Sequence, residues 1–176
     1  MNCEQCGAPM VVEQGKNFFH CQYCGSFQFP VPNQDGVALL DQVTPYTCPE
    51  CAVPLVTALI LDIRVLACPN CRGNFIPQSK LLPILRQMQP DPADKDESPA
   101  TPDRKELNRK VACPTCRKPM EAYPYGGPGN VIIQGCAGCQ AVWLDSGELA
   151  SIVRANAKMY HQPPEELGAK KRHVEF

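Results

Sequence analysis

Twelve cysteines, and the way they pair, constrain this chain more than anything else in its 176 residues. They form six Cys-x-x-Cys pairs, and the pairs form three couples: Cys3/Cys6 with Cys21/Cys24, Cys48/Cys51 with Cys68/Cys71, and Cys113/Cys116 with Cys136/Cys139. None is left over. Within the couples 14, 16 and 19 residues separate the inner cysteines. That is the separation expected when two short knuckles face each other across one tetrahedral metal ion. Because all six pairs fit one arrangement, the pattern predicts three closed sites with all twelve thiols as metal ligands.

Disulfides and redox-active thiols are the competing uses. Cys3 follows Met1 almost at once, without a basic start, apolar stretch or small-residue cleavage site, which leads us to expect a cytoplasmic protein with reduced thiols. The most apolar stretch, residues 53–66, is interrupted by Pro54, Asp62 and Arg64 and is short of the ~18 to 20 apolar residues that span a bilayer. A catalytic Cys-x-x-Cys would sit in a thioredoxin-like βαβ pattern, which the sequence lacks. Four thiolates suit zinc. Rubredoxin-like iron uses similar knuckles at wider separations, so three zinc ions are expected. Each unit lies near the ~40-residue limit below which a chain needs a metal or a partner to stay folded, and structural zinc contributes about 10 to 16 kcal/mol in small peptides.

The expected fold is small, metal-dominated and mostly β: three tandem four-cysteine zinc ribbons, each a two-stranded hairpin between knuckles, with short C-terminal helices on modules two and three. Module one covers residues 1–32, module two 46–88 and module three 111–160, with a tail at 161–176. Residues 33–45 read as a linker whose Val37, Leu39 and Leu40 pack on a neighbour. Residues 89–110 read as a flexible charged linker, so modules one and two should sit together with module three loosely tethered. The hairpins are placed at 10–13 with 18–20, 55–59 with 63–67, and 120–125 with 131–134 around a glycine-rich turn. Asp145 and Glu148 have capping-box spacing, and Leu149, Ile152 and Val153 follow at helical intervals, predicting a helix over 146–158 packed on the hairpin beside Trp143. Gly7, Gly25 and Gly73, behind the knuckles, suit tight turns.

Cys113-Pro-Thr-Cys116, Met120, Cys136-Ala-Gly-Cys139 and Val142-Trp-Leu-Asp-Ser-Gly-Glu-Leu149 together resemble the transcription factor IIB-type zinc ribbon domains. Module two aligns without a gap from its second knuckle onward: Phe75 stands for Trp143, Ile76 for Leu144, Leu81 for Leu149 and Ile84 for Ile152. It departs at Pro77 and Lys80, which replace Asp145 and Glu148 at the helix start, and Pro83 predicts a bend or a restart. Module one shares only knuckles and hairpin. The resemblance implies zinc binding and a link to transcription.

A formal charge of −1 becomes about −7 once three zinc–tetrathiolate centres of about −2 each are counted, which opposes indiscriminate binding of polyanions. A nucleic-acid face would have to be local. Arg64, Arg72, Lys80 and Arg86 on module two are the best candidates, followed by Arg104-Lys105 and Arg109-Lys110. Trp143 suits a base stack or the core, and the core is the reading adopted. Tyr123 and Tyr125 suit either an exposed tip or a half-buried strand. His20 could stand in for a cysteine ligand but four thiolates already close the site, and Lys170-Lys-Arg-His173 reads as a solvated terminus. Four sulfurs leave no open position for water, and there is no phosphate loop or nucleophile arrangement, so no enzyme is expected. The sequence thus points to a non-enzymatic adaptor docking on a protein, with DNA or RNA binding through module two as the alternative and a zinc-release redox sensor as a third. Neither a membrane nor a small-molecule substrate is expected.

Overall fold

The computed structural model describes residues 1–13, 15–90, 104–125 and 131–161, with side chains described as far as residue 157. Module one carries two short strands, β1 (Phe19–His20) and β2 (Phe27–Gln28). A long strand, β3 (Val37–Thr47), leads into module two, which holds β4 (Pro54–Ile60), β5 (Ile63–Ala67), β6 (Asn74–Pro77) and helix α1 (Gln78–Gln87). A single turn, α2 (Arg104–Leu107), precedes module three, made of β7 (Glu121–Pro124), β8 (Ile132–Cys136), β9 (Ala141–Leu144) and helix α3 (Glu148–His161).

Modules two and three are not loosely tethered: they share one antiparallel sheet in the order β3-β4-β5-β6-β9-β8-β7. The join is between β6 and β9, where Asn74 pairs with Leu144, Phe75 with Trp143 and Ile76 with Val142. Phe75 and Trp143 are equivalent in the two repeats, and so are Ile76 and Leu144, so this register relates the modules by an approximate two-fold axis through the Phe75–Trp143 pair. Each ribbon alone would end on an open strand edge with unpaired amides. Pairing the two edges removes both.

The strand alternation at the join divides the interior into two cores. Ile76, Val142 and Leu144 point to one face, where Leu81, Ile84 and Leu85 of α1 and Leu149, Ile152 and Val153 of α3 cover them. Phe75 and Trp143 point to the other, packed with Cys48, Cys68, Cys113, Cys136 and Met120. Trp143 is fully buried, which places it in the core as read from sequence. Gly73 is needed for this contact: its backbone φ is unremarkable, but a Cβ there would run into the Trp143 ring.

The segment read as the first linker carries β3, the longest strand. Asn33 starts it by accepting hydrogen bonds from the amides of Asp35 and Val37 at 2.9 and 3.0 Å. Pro45 is tolerated because β3 is an edge strand with a shifted register against β4. Asp35, 2% exposed, then reaches module three. Its carboxylate accepts from the amides of Gly147 (2.8 Å) and Ala150 (3.2 Å), capping α3 from 112 and 115 residues away.

Helix α3 starts and ends within a few residues of the expected bounds. Half of the expected capping box forms, with Glu148 accepting from the Asp145 amide at 2.7 Å. α1 does not begin again at Pro83: it is one helix with Pro77 as its N-cap and Pro83 inside it. In module one the expected hairpin shrinks to a bridge between Val11 and His20, and the pairing moves to β1 with β2. The core there is Cys3, Met10, Phe19 and Cys21, too little apolar surface to hold longer strands. The charge run at 94–97, the turn at 126–130 and the basic tail lie outside the described residues.

Candidate metal centres

Six knuckles of one design bring the cysteines together. In five, the amide after the second cysteine donates to the carbonyl of the first, as in Gly7 to Cys3 and Arg72 to Cys68, at 2.8 to 3.0 Å. That turn needs a left-handed residue just behind each second cysteine. Module one meets the need with Gly7 and Gly25, both at φ 74°, where no Cβ resists. Modules two and three instead hold Ala52, Arg72, Arg117 and Gln140 at φ between 49° and 63°, a conformation a side chain resists and the surrounding packing must impose.

The knuckles gather the thiols into three groups, Cys3/Cys6/Cys21/Cys24, Cys48/Cys51/Cys68/Cys71 and Cys113/Cys116/Cys136/Cys139, with all sulfurs of a group within 4.8 Å of one another. A tetrahedron with Zn–S arms of about 2.3 Å has edges of about 3.8 Å. Observed Sγ···Sγ separations include 3.6 and 3.5 Å in the first group, 3.3 to 3.6 Å in the second, and 3.8 and 3.6 Å in the third. The fit is to a metal, and no disulfide joins any of the twelve. Each group can hold one zinc ion through four sulfurs, leaving no position for water. His20 belongs to none of the groups and faces Glu13 at 3.5 Å.

The thiols differ in readiness. The Ser26 hydroxyl, 3.0 Å from both Cys3 and Cys24, pulls the Cys3 thiol down to about 6. Burial instead pushes Cys136 up to about 12. Close-packed thiols cannot all ionise together without a cation, so a low-lying thiolate gives the metal a first ligand and the metal drives off the remaining protons. Exposure differs as well. Cys6 and Cys24 are exposed, whereas modules two and three each keep two cysteines buried and two half-buried.

Beside the third centre lies a charged network not anticipated from the sequence. Arg109 donates to Asp145 at 2.5 Å and to Gln134 at 3.2 Å, and approaches Glu50, in the second module's first knuckle, at 3.6 Å. Trp143 donates its indole N–H to Asp145 at 2.9 Å. Partial burial opposes the Arg109 charge, but Asp145 and Glu50 outweigh it and hold the guanidinium above its ordinary range. Burial pushes the Glu148 carboxyl up to about 8, with the Asp145 charge adding to it. Arg109 therefore ties module two to module three and is withdrawn from the candidate phosphate contacts.

Of the four module-two cations, Arg64 and Lys80 come together on a groove of about 460 Å³ that is also lined by Phe75, Thr115 and Cys139. Arg72 lines a different cleft, beside Met1 and Asp41, and Arg86 is in the last turn of α1. Tyr123 lies across Gly135, where a Cβ would stand 2.6 Å from its ring, and Tyr125 packs on the helix-side core, so neither forms a free-standing tip. Among the described residues no helix is long and apolar enough to cross a membrane.

The family model described as transcription factor zinc-finger, a TFIIB-type zinc ribbon, matches this chain twice, over residues 47–87 and 112–155. Those segments are modules two and three. No curated protein and no solved structure matches the chain.

Proposed function

We propose that this pair of TFIIB-type zinc ribbons, with the third metal centre of module one, forms a non-enzymatic adaptor that docks on a protein partner in transcription or a related nucleic-acid process. The twelve cysteines ligate three zinc ions, and the zinc is structural. One observation carries the non-enzymatic part: every site offers four sulfurs within 4.8 Å of one another, which closes the coordination sphere that a catalytic zinc keeps open. The net charge of about −7 with zinc bound favours protein docking over general adhesion to nucleic acid. A reducing cytoplasm is the setting in which these thiols stay available for metal.

The direct test is an affinity capture from cell extract with the zinc-loaded chain, with and without nuclease. Docking predicts partners retained after nuclease treatment. Partners that disappear with the nucleic acid would replace this reading with direct nucleic-acid binding through module two, which the convergence of Arg64 and Lys80 on one groove supports. The exposure of Cys6 and Cys24 supports a zinc-release redox sensor, and zinc loss under mild peroxide would identify it.

A further inference from the structure

Module one exposes aromatic surface that no core uses. Phe27 and Phe29 are 65% and 64% exposed, on the same side of the chain because they are two residues apart. With Phe18 they form a cluster whose ring centroids lie 5.9 to 6.3 Å apart and whose planes are tilted by 56° to 81°. So much aromatic surface at the face of a module with a minimal core marks an interaction site rather than leftover packing.

Cations continue the surface. The Lys16 Nζ stands 5.8 Å from the Phe18 ring centroid. Arg64 donates to the Lys16 carbonyl at 2.6 Å and to the Asn17 side chain at 3.3 Å, and Lys80 donates to the Arg64 carbonyl at 2.8 Å. The strip thus runs from the rings through three positive charges into the groove that modules two and three line together. None of the three cations forms an ion pair among the described residues. The carboxylates of residues 1–47 that the structure describes are engaged elsewhere: Glu4 accepts from Gln28, Glu13 faces His20, Asp35 caps α3 and Asp41 faces the Met1 amine. Asp62 shares a cleft with Asn17 and Phe29, and against the three cations it leaves the strip positive on an acidic molecule.

We propose that this strip binds single-stranded nucleic acid, with bases stacking on Phe27 and Phe29 and phosphates meeting Lys16, Arg64 and Lys80. Exposed ring faces beside a line of cations are what a splayed strand requires, because each base offers a π-face and each nucleotide a charge. A duplex hides the faces of its bases and can use only the cations. The rings lie on module one, outside the ribbon pair, so this inference goes beyond the docking reading and does not depend on it.

The test is fluorescence anisotropy of the zinc-loaded full chain with labelled oligo-dT and oligo-U of about 12 nucleotides, within the ~4 to 16 that such surfaces cover, and with a duplex of equal length. Single strands should bind more tightly than the duplex at low salt. Phe27→Ala with Phe29→Ala should weaken single-strand binding about 5-fold to 150-fold per stacked ring, with zinc content unchanged since neither is a ligand or a core residue. Lys16→Glu with Lys80→Glu should weaken all binding and flatten the log-log salt dependence by about 0.7 for each phosphate no longer met. No single-strand binding at low salt, or equal binding by the ring variant and the wild type, overturns the proposal. If Lys80→Glu alone abolishes binding of both forms while the ring variant is unaffected, only the groove at Arg64 and Lys80 is a nucleic-acid site and the stacking surface is refuted. If the ring variant fails to capture a protein partner and keeps its oligonucleotide affinity, the phenylalanines are a protein contact and the proposal fails.

Discussion

Module one and the fused pair of modules two and three use the same metal chemistry to hold very different amounts of structure. In module one the buried core is four residues, two of them the site's own Cys3 and Cys21, the site's Cys6 and Cys24 are exposed, and the strands are two residues long. Glycines make its knuckles without strain. The pair sets its centres under a seven-stranded sheet, with helices covering the other face, and tolerates side chains at all four left-handed knuckle positions. A ribbon with so small a core depends on its ion, whereas two ribbons joined edge to edge acquire a core that shares the load.

The largest contrast should appear on removing metal. Elemental analysis should find close to three zinc per chain, and a strong chelator should unfold module one outright, since zinc sites of this kind contribute about 10 to 16 kcal/mol and little else holds it. The pair should lose zinc more slowly and retain part of its sheet by circular dichroism. Simultaneous collapse of all three modules would erase the distinction.

Trp143→Ala is the next largest effect. It should destabilise the pair by about 3 to 5 kcal/mol, because the ring fills the metal-side core and covers Gly73. Denaturant melts should show module two losing stability together with module three, while module one is unaffected. Asp35→Ala should cost about 2 kcal/mol by leaving the amides of Gly147 and Ala150 without their cap, and amide exchange should report it first in α3.

The smallest effect is a slope. In the folded chain Glu148 keeps its proton up to about 8, whereas an unfolded glutamate releases it near ~4.3. Between those values the folded state binds the extra proton, so this group's contribution to stability falls as pH rises, by at most about 1.4 kcal/mol per unit. Glu148→Gln should therefore gain on the wild type between pH 5 and 8 in urea midpoints. A constant difference across that window would show that the carboxyl is ionised when folded.

What was legible in the sequence was local. Each Cys-x-x-Cys knuckle is a turn of a few residues, and the helix pattern after Trp143 was complete in itself, so the grouping of the cysteines into three sets of four, the knuckles and α3 could be read. The repeat even aligned Phe75 with Trp143, yet it could not tell that the equivalent strands pair with each other, because two open edges read the same whether they meet or stay apart. The Asp35 cap and the Arg109 network bridge distant positions and leave no spacing signal. Pro45 hid β3, although the apolar patch at Val37, Leu39 and Leu40 had marked that segment as one that packs.

The central claim, that modules two and three are one cooperative unit, is tested most directly by hydrogen exchange on Cys136→Ser. This variant breaks only the third metal set. Shared pairing of β6 with β9 predicts that protection falls in residues 63–77 as well as in 132–155, with module one unchanged. Loss of protection in 111–155 alone, with β5, β6 and α1 as protected as in the wild type, would contradict it.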